Sequence, residues 1–187
     1  LNKLFFILGI VFLAIIYKQI SLHRVNKKLN QNKKELEKVN LELKELAEKD
    51  ALTRLYNRRF FMNIADTIIN LDKREKKQSS LLMFDIDNFK KINDSFGHPI
   101  GDLVLSTLGT LILENSRKSD IPSRFGGEEF MILLPNTDLI SANKYSENLR
   151  KIIESSTIKT DDFEFNFTVS MGLTLIKSDD TLEKAII

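Results

Sequence analysis

The sequence predicts an α+β domain, in which helices pack against one β-sheet, preceded by an apolar helix and a coiled coil. Three patterns in the 187-residue chain support this prediction. Residues 4–17 are all apolar, and residues 22–46 carry an apolar heptad. In residues 50–187, segments with the apolar spacing of a helix alternate with segments that have the apolar spacing of a strand. We therefore predict an anchor helix over residues 1–18, a coiled-coil signalling helix over residues 19–49 and a globular domain over residues 50–187.

Composition limits the classes of protein and of site. Hydrophobic residues make up 42% of the chain, which is enough for a packed core, and the net charge of +2 gives no global field to attract a nucleic acid polymer. The chain has no cysteine, which excludes disulfides and thiolate metal sites. His23 and His98 are far apart in sequence, so any metal is expected to be bound by oxygen ligands.

The apolar run over residues 4–17, LFFILGIVFLAIIY, has two interpretations. As a helix at about 1.5 Å per residue it would be roughly 21 Å long, which is short for a bilayer core of about 30 Å, and a signal-peptide core is the alternative of matching length. Basic residues follow it instead of a small-residue cleavage site: Lys18, Arg24, Lys27, Lys28, Lys33 and Lys34. This flank is typical of the cytoplasmic side of a membrane helix, so we favour an anchor in the inner membrane.

The heptad indicates a coiled coil. Its positions alternate steps of three and four residues: Leu22, Val25, Leu29, Asn32, Leu36, Val39, Leu43 and Leu46. Apolar residues at this period of 3.5 form the contact line between two helices, and a buried Asn at one position fixes their register. The alternative is a single amphipathic helix lying on the domain. Lys and Glu at the other positions favour a parallel homodimer.

Beyond Asp50 the spacing of apolar residues predicts each element in turn. A helix with Phe60, Phe61, Ile64, Ile68 and Leu71 on its apolar face is followed by a buried strand, SLLMFDID, and by a short helix, NFKKINDSF. A turn containing His98 then leads into a longer helix, GDLVLSTLGTLILENSRK, a hairpin, PSRFGGEEFMILLP, and an amphipathic helix, DLISANKYSENLRKIIESS.

The last part of the chain predicts a strand and the start of another helix. FEFNFTVSMGLTLI places alternate apolar residues from Phe163 to Leu175 on one face of a strand. Asp180 and Glu183 then have the spacing of a capping box that opens a final helix.

Two carboxylates, Asp85 and Asp87, stand at the end of an otherwise apolar strand. Carboxylates in such a place require a cation or strong hydrogen-bond donors. Asp87 has an equally good alternative role, as the cap of the helix that starts at Asn88. Asp85 comes too early to cap that helix, which favours a metal role. Together with Glu128 at the hairpin tip, it forms an oxygen donor set that suits Mg²⁺ holding triphosphate oxygens.

Four segments in order, DALTRLYNRR, FDIDNFKKINDSFGHPIGD, RFGGEEF and FTVSMGL, resemble the GGDEF domain family over nearly all of residues 50–187. Members of this family are diguanylate cyclases, which make cyclic di-GMP from two GTP molecules, and GGEEF is a variant that the family also uses. The resemblance implies a central, mainly antiparallel sheet flanked by helices, related to the palm of polymerases and to nucleotide cyclases. Family domains continue with an ADxALYxAKxxGRN-like stretch, whose Lys and Arg are expected to contribute to triphosphate binding.

The resemblance also implies roles for the acids. Asp85 and Glu128, with the carbonyl of Ile86, match the ligands of a catalytic Mg²⁺ or Mn²⁺. Glu129 matches the second acid of the motif, near the metal and the reacting hydroxyl, so Glu128 and Glu129 are the expected catalytic residues.

The same resemblance implies where the substrate binds. Asn93 and Asp102 match the pair that contacts guanine, although helix-end capping is the alternative from the residues alone. The remaining substrate contacts implied are Asn88, Phe89 and Lys90 for phosphate, and Gly126 and Gly127, which form a side-chain-free turn against the nucleotide.

An RxxD motif, Arg117 to Asp120, is separated by five residues from Gly126, the first Gly of GGEEF. This matches the family's product-inhibition site, to which Arg150 is a candidate supporting contact; a solvated helix end is the alternative. The expected partners are GTP, cyclic di-GMP, a second copy of the chain and the bacterial inner membrane, with the catalytic domain in the cytoplasm. The alternative functions are an inactive GGDEF domain that acts as a cyclic di-GMP receptor, and a membrane-tethered coiled-coil adaptor.

Overall fold

The computed structural model describes residues 2–160 and 163–176, and it divides into two compact units, Leu1–Glu45 and Leu46–Ile187. The predicted capping box of Asp180 and Glu183 lies outside the described residues.

The first unit is formed by the long helix α1, Asn2–Glu48. Its predicted heptad positions are uncovered: Leu29, Leu36 and Leu43 expose 62%, 61% and 57% of their surface. Across the described part of the chain, no helix combines the length and the apolar character that a membrane span requires. Helix α1 extends through both predicted segments, while the membrane anchor and the pairing of the apolar face stay predictions.

The second unit is built on one mixed sheet. Its strands are β1 Tyr56–Asn57, β2 Ser79–Ile86, β3 Ile121–Gly126, β4 Glu129–Leu134 and β7 Val169–Ile176, in the spatial order β1-β3-β4-β2-β7. Only β1 and β3 pair in parallel, and the other neighbours are antiparallel. The predicted α+β class with a mainly antiparallel sheet is thus confirmed. A small second sheet consists of β5 Thr157–Lys159 and β6 Glu164–Asn166.

Helices cover both faces of the main sheet. They are α2 Arg58–Glu75, α3 Phe89–Phe96, α4 His98–Asn115 and α5 Leu139–Ser155. One buried cluster contains Leu82, Phe84 and Ile86 of β2 with residues of α4 and α5, and the other contains Leu81 of β2 with residues of α2. Alternate residues of β2 therefore serve opposite cores, which explains why this strand is apolar until its acidic end.

Three local predictions were wrong. Leu71 is 51% exposed, while Asp72 beside it is buried, so the apolar face of α2 ends one turn early. His98 is the first residue of α4 instead of a turn residue, because Pro99 fits the first helical turn, where its missing N–H is not needed. The segment from Phe163 to Leu175 is split between β6 and β7, which belong to different sheets, although its alternation continues through both.

Candidate active site

An acidic strand end and the hairpin meet where β2 pairs with β4. Asp85 of β2 lies directly opposite Glu129, the first residue of β4. Directly opposed residues project from the same face of a sheet, so these two carboxylates are neighbours on one face. Glu128 lies in the two-residue connection between Gly126 and Glu129 that closes the hairpin. The hairpin thus brings a second and a third carboxylate to the end of β2.

The pKa values of Asp85 and Glu128 are both raised. The pKa of Asp85 is raised above its ordinary 3.8, first by burial and then by the charges of Asp87 and Glu129. The pKa of Glu128 is raised above 4.5, again first by burial and then by the charges of Asp85 and Glu129. Because like charges held together disfavour ionisation, a cation at this place would stabilise the ionised forms.

The donor set fits a hard divalent cation completed by substrate. Mg²⁺ in nucleotide sites is usually bound through one or two carboxylates together with phosphate oxygens, instead of through an all-protein cage. Asp85 and Glu128 provide such a pair of carboxylates. Within residues 2–160 and 163–176, no group of three or more acidic or histidine side chains is arranged as a complete metal cage. The two carboxylates therefore fit a hard divalent cation that takes further ligands from a bound molecule.

The two glycines of the hairpin have different surroundings. A Cβ added to Gly126 would lie 2.9 Å from Oε2 of Glu129, whereas a Cβ on Gly127 would meet nothing within 4 Å. Neither glycine has a positive φ. A side chain at position 126 would therefore displace the carboxylate of Glu129, and Gly127 borders open space. A pocket of about 400 Å³ lies on the same face, between Asp85 and Glu129 and the apolar side chains of Phe125 and Met131.

Asp87 is not a helix cap. Asn88 occupies the N-cap position of α3, and the Asp87 carboxylate instead accepts hydrogen bonds from the hydroxyls of Thr168 at 2.6 Å and Ser170 at 2.5 Å. The backbone N–H of Asp87 also donates to the Thr168 carbonyl at 3.0 Å. These contacts fasten the end of β2 to the start of β7. Asp87 therefore holds the chain segment that carries Asp85.

Helix α3 begins directly after this acidic end. Asn88 adopts a left-handed backbone with φ 58°, a conformation that Asn tolerates better than most residues, and Phe89 is buried beneath the first turn. Lys90 is exposed on that turn. The free N–H groups of the first turn and the Lys90 ammonium can therefore both face an anion that approaches the carboxylates.

Asn93 and Asp102 come from neighbouring helices that are joined by Gly97. The carboxamide of Asn93 lies against Gly101, the residue before Asp102, because a Cβ at Gly101 would be 2.0 Å from Oδ1 of Asn93. Neither side chain occupies a helix cap: the cap residues of α3 and α4 are Asn88 and Gly97. The capping alternative is therefore wrong, and both side chains remain available to a ligand.

The RxxD motif forms a compact turn. Asp120 is buried and accepts hydrogen bonds from the Arg117 backbone N–H at 2.8 Å and from the Ser119 hydroxyl at 3.4 Å. The side chain of Arg117 is exposed. Arg150 forms ion pairs with Glu147 at 3.3 Å and with Glu154 at 3.1 Å, both on its own helix. The structure thus leaves Arg117 open to a ligand, whereas Asp120 and Arg150 already have partners.

Sequence reasoning missed several residues that shape the site. Arg124 contacts both Asp50 and the carbonyl of Gly127, and Thr168 and Ser170 hold Asp87. Each of these contacts except Arg124–Gly127 joins residues more than 70 positions apart, so no local spacing could indicate them. Gly101 was predicted as the first residue of a helix, a position at which a glycine gives no specific signal.

The mainly antiparallel sheet defines an α+β domain, with a cluster of carboxylates where its interior strands β2 and β4 meet at the hairpin. Residues 47–187 match the family described as diguanylate cyclase, GGDEF domain. The match covers well over half of the chain, and the chain belongs to this family. The resemblance drawn from the four sequence segments is thus confirmed.

Relatives with names and solved structures agree with this assignment. Diguanylate cyclase A of Treponema denticola is 35% identical over 151 residues, which cover 79% of this chain and 41% of that protein. The solved GGDEF domain of DgcB from Caulobacter crescentus in complex with c-di-GMP has a TM-score of 0.72 at 27% identity, covering 75% of this chain and 81% of that one. The solved active GGEEF domain of a diguanylate cyclase from Vibrio cholerae has a TM-score of 0.62 at 31% identity, covering 67% and 79%. The chain therefore spans less than half the length of the Treponema relative.

Proposed function

We propose that this chain is a diguanylate cyclase, which condenses two GTP molecules into cyclic di-GMP with release of pyrophosphate. Family membership and the name of the Treponema relative support the reaction. The observation that carries the proposal is the pairing of Asp85 with Glu129, which places Asp85 beside the hairpin tip, where the pKa values of Asp85 and Glu128 are raised. The active Vibrio cholerae domain supports activity for the GGEEF form of the motif.

The carboxylates have different roles in the proposed reaction. Asp85, Glu128 and the Ile86 carbonyl would bind Mg²⁺ or Mn²⁺, which would neutralise charge on the triphosphate. Glu129 lies near the 3′-hydroxyl, which attacks an α-phosphate as pyrophosphate leaves. The first turn of α3, with Lys90, binds phosphate oxygens, and Gly127 leaves the hairpin surface open to the nucleotide. Catalysis is then mainly positioning and charge neutralisation.

Guanine selection is assigned to α3 and α4. A carboxylate such as Asp102 can accept from N1–H and the 2-amino group of guanine together, and adenine lacks this pair of donors. The carboxamide of Asn93, one residue away from Asp102 across Gly101, can both donate and accept. A site that hydrogen-bonds its substrate in this way rejects analogues that lack the donors, so ATP is excluded.

The reaction requires two domains, each holding one GTP. The uncovered apolar heptad of α1, with Leu29, Leu36 and Leu43 exposed, supports pairing with a second copy of the chain through a coiled coil. Such pairing raises the effective concentration of one loaded domain near the other.

The same helix supports attachment to the bacterial inner membrane, with the catalytic domain in the cytoplasm. Residues 4–17 are apolar, and residues 18–34 contain six Lys or Arg residues and no Asp or Glu. A basic flank of this kind is typical of the cytoplasmic side of an anchor.

Feedback by the product is assigned to Arg117 and Asp120. The exposed Arg117 guanidinium has the geometry to bind O6 and N7 of guanine in a bidentate manner. Beside this turn, Ser116 is hydrogen-bonded to Tyr145, and a pocket of about 430 Å³ is lined by Tyr145, Asn115 and Asn148. Arg150 joins this site only if it leaves its glutamate partners.

Product analysis tests the proposed function. The purified chain is incubated with GTP and Mg²⁺, and the nucleotides are separated and identified by mass. We expect cyclic di-GMP from GTP and no cyclic product from ATP. Binding of cyclic di-GMP without turnover of GTP would favour an inactive receptor domain, and the absence of both would leave a coiled-coil adaptor.

A further inference from the structure

Gly101 lies on α4 where Asn93 of α3 reaches across to it. A Cβ at Gly101 would lie 2.0 Å from Oδ1 of Asn93, 3.0 Å from its Cγ and 3.3 Å from Cζ of Phe89. Real Cβ atoms essentially never approach another heavy atom closer than 3.0 Å. The Asn93 carboxamide therefore occupies space that only glycine leaves open at position 101.

The backbone fixes this approach of the two helices. Gly97, with φ 86°, is the single residue between α3 and α4, and its N–H donates to the carbonyl of Asn93 at 2.9 Å. The N–H of Gly101 donates in turn to the carbonyl of Gly97 at 3.3 Å. Because one residue joins both hydrogen bonds, α4 cannot move away from Asn93 without breaking the helix junction.

The carboxamide itself is held by packing. Among the hydrogen bonds of the described residues, none involves the side chain of Asn93, and this side chain is only partly buried. The amide is thus free to offer its NH₂ and its carbonyl oxygen to a ligand, and its direction depends on the space next to Gly101 and the Phe89 ring.

We propose that Gly101 is a specificity-determining positioning residue, which holds the Asn93 carboxamide in the direction that recognises guanine together with Asp102. This inference rests on the proposed use of GTP at the same site. Gly101 does not touch the base, and it acts through Asn93. A methyl group at position 101 would push the carboxamide away from its place beside Asp102 and so weaken selection of the base.

Gly101→Ala in the full chain is the direct test, with Gly172→Ala as its control. A Cβ at Gly172 would meet nothing nearer than the Met83 carbonyl oxygen at 4.0 Å. Initial rates of pyrophosphate release are measured with GTP, with ITP, which lacks the 2-amino group, and with ATP. We expect Gly101→Ala to raise KM for GTP and to lower the preference for GTP over ITP or ATP by about tenfold, with a smaller change in kcat. The control keeps the preference of the wild type.

A second pair of variants separates specificity from folding. In Asn93→Ala the carboxamide that the added methyl group would displace is gone, so Gly101→Ala combined with Asn93→Ala should show the same nucleotide preference as Asn93→Ala alone. The inference is overturned if Gly101→Ala alone keeps the wild-type preference, or if it lowers the preference further in the Asn93→Ala background. Absence of GTP turnover by the wild type would refute the proposed function instead. The inference is then judged by equilibrium binding of GTP, and equal binding by the wild type and Gly101→Ala overturns it.

Discussion

Arg124 and Asp50, separated by 74 positions in the sequence, form an ion pair beside the hairpin, with Nη1 of Arg124 3.3 Å and 3.4 Å from the two carboxylate oxygens. The same guanidinium donates through Nε and Nη2 to the carbonyl of Gly127, at 3.0 Å and 2.8 Å. Asp50 also accepts from the N–H and the hydroxyl of Thr53, each at 2.8 Å. The Arg124 guanidinium thus connects the turn of Asp50 and Thr53 to the tip of the hairpin at Gly127.

Arg124→Lys tests whether this connection positions the acids. A lysine keeps the positive charge but has no planar fork, so it cannot hold Asp50 and the Gly127 carbonyl at the same time. We expect the domain to remain folded and kcat to fall by about tenfold, which corresponds to ~1.4 kcal/mol of transition-state stabilisation. Product formation from GTP and circular dichroism are measured on the same preparation.

Arg150→Lys is the matched control for this prediction. Arg150 forms ion pairs with two glutamates of its own helix, and the same conservative change there should leave kcat, measured as an initial rate before product accumulates, near that of the wild type. If the two lysine variants have equal activity, the connection through Arg124 does not position the acids.

Glu128→Gln should abolish synthesis of cyclic di-GMP while the fold survives. Gln keeps the size of Glu128 but lacks the charge that a hard cation requires, and the side chain lies in a turn instead of the core. The measurements are product formation and the melting temperature. Activity like that of the wild type would contradict the assignment of Glu128 as a metal ligand.

The raised pKa values of Asp85 and Glu128 predict a pH-dependent effect in the metal-free protein. A carboxyl group with a raised pKa binds its proton more tightly in the folded state, so its ionisation lowers stability as pH rises through the window above 3.8 for Asp85 and 4.5 for Glu128. Removing one of the repelling charges by Glu128→Gln should therefore stabilise the metal-free protein at pH ~7.5. Both groups keep contact with water, so we expect a gain below ~1 kcal/mol, about 2 °C in Tm.

Melting curves recorded with EDTA and with Mg²⁺ test whether Glu128→Gln stabilises the metal-free protein. The advantage of Glu128→Gln should shrink as pH falls toward the ordinary pKa of a glutamate, because the wild type is then protonated and no longer carries the repulsion. Mg²⁺ should stabilise the wild type more than the variant at pH ~7.5, and this difference should also fade in acid. A variant that is less stable than the wild type in EDTA at pH ~7.5 would contradict the repulsion.

Local patterns were sufficient to predict the acidic cluster but not what holds it. Asp85 and Glu128 stand out because each interrupts an apolar or glycine-rich segment at an element boundary. The hydroxyls of Thr168 and Ser170, which hold Asp87, follow from strand pairing between distant segments, and this pairing has no local signal. The division of the last predicted strand into β6 and β7, which belong to different sheets, could not be predicted either. Alternation of apolar residues does not show which strand a segment pairs with.

Disrupting the heptad should slow synthesis by separating the two domains. Replacing Leu29, Leu36 and Leu43 by Glu puts repelling charges on the exposed apolar face of α1, where nothing in the described chain covers them. The chain should become monomeric by analytical ultracentrifugation, and its specific activity should fall at low protein concentration and recover partly at high concentration. Replacing Glu37, Lys38 and Lys44, which lie on the side of the helix away from the apolar contact line, by Gln is the control. Concentration-independent activity equal to that of the wild type would refute the role of the heptad.

Arg117→Ala should weaken binding of cyclic di-GMP in the Glu128→Gln background, where no product forms during the experiment. The Arg117 guanidinium is exposed and can bind O6 and N7 of guanine, whereas Asp120 is partly occupied by the backbone N–H of Arg117. Loss of one bidentate contact is worth ~1–3 kcal/mol, so calorimetric titration should give a Kd that is about 5-fold to 150-fold weaker. Arg150→Ala in the same background should weaken binding less, because Arg150 must first leave Glu147 and Glu154. If Arg117→Ala and its parent bind the dinucleotide equally well, or if neither binds it, product inhibition does not act through this turn.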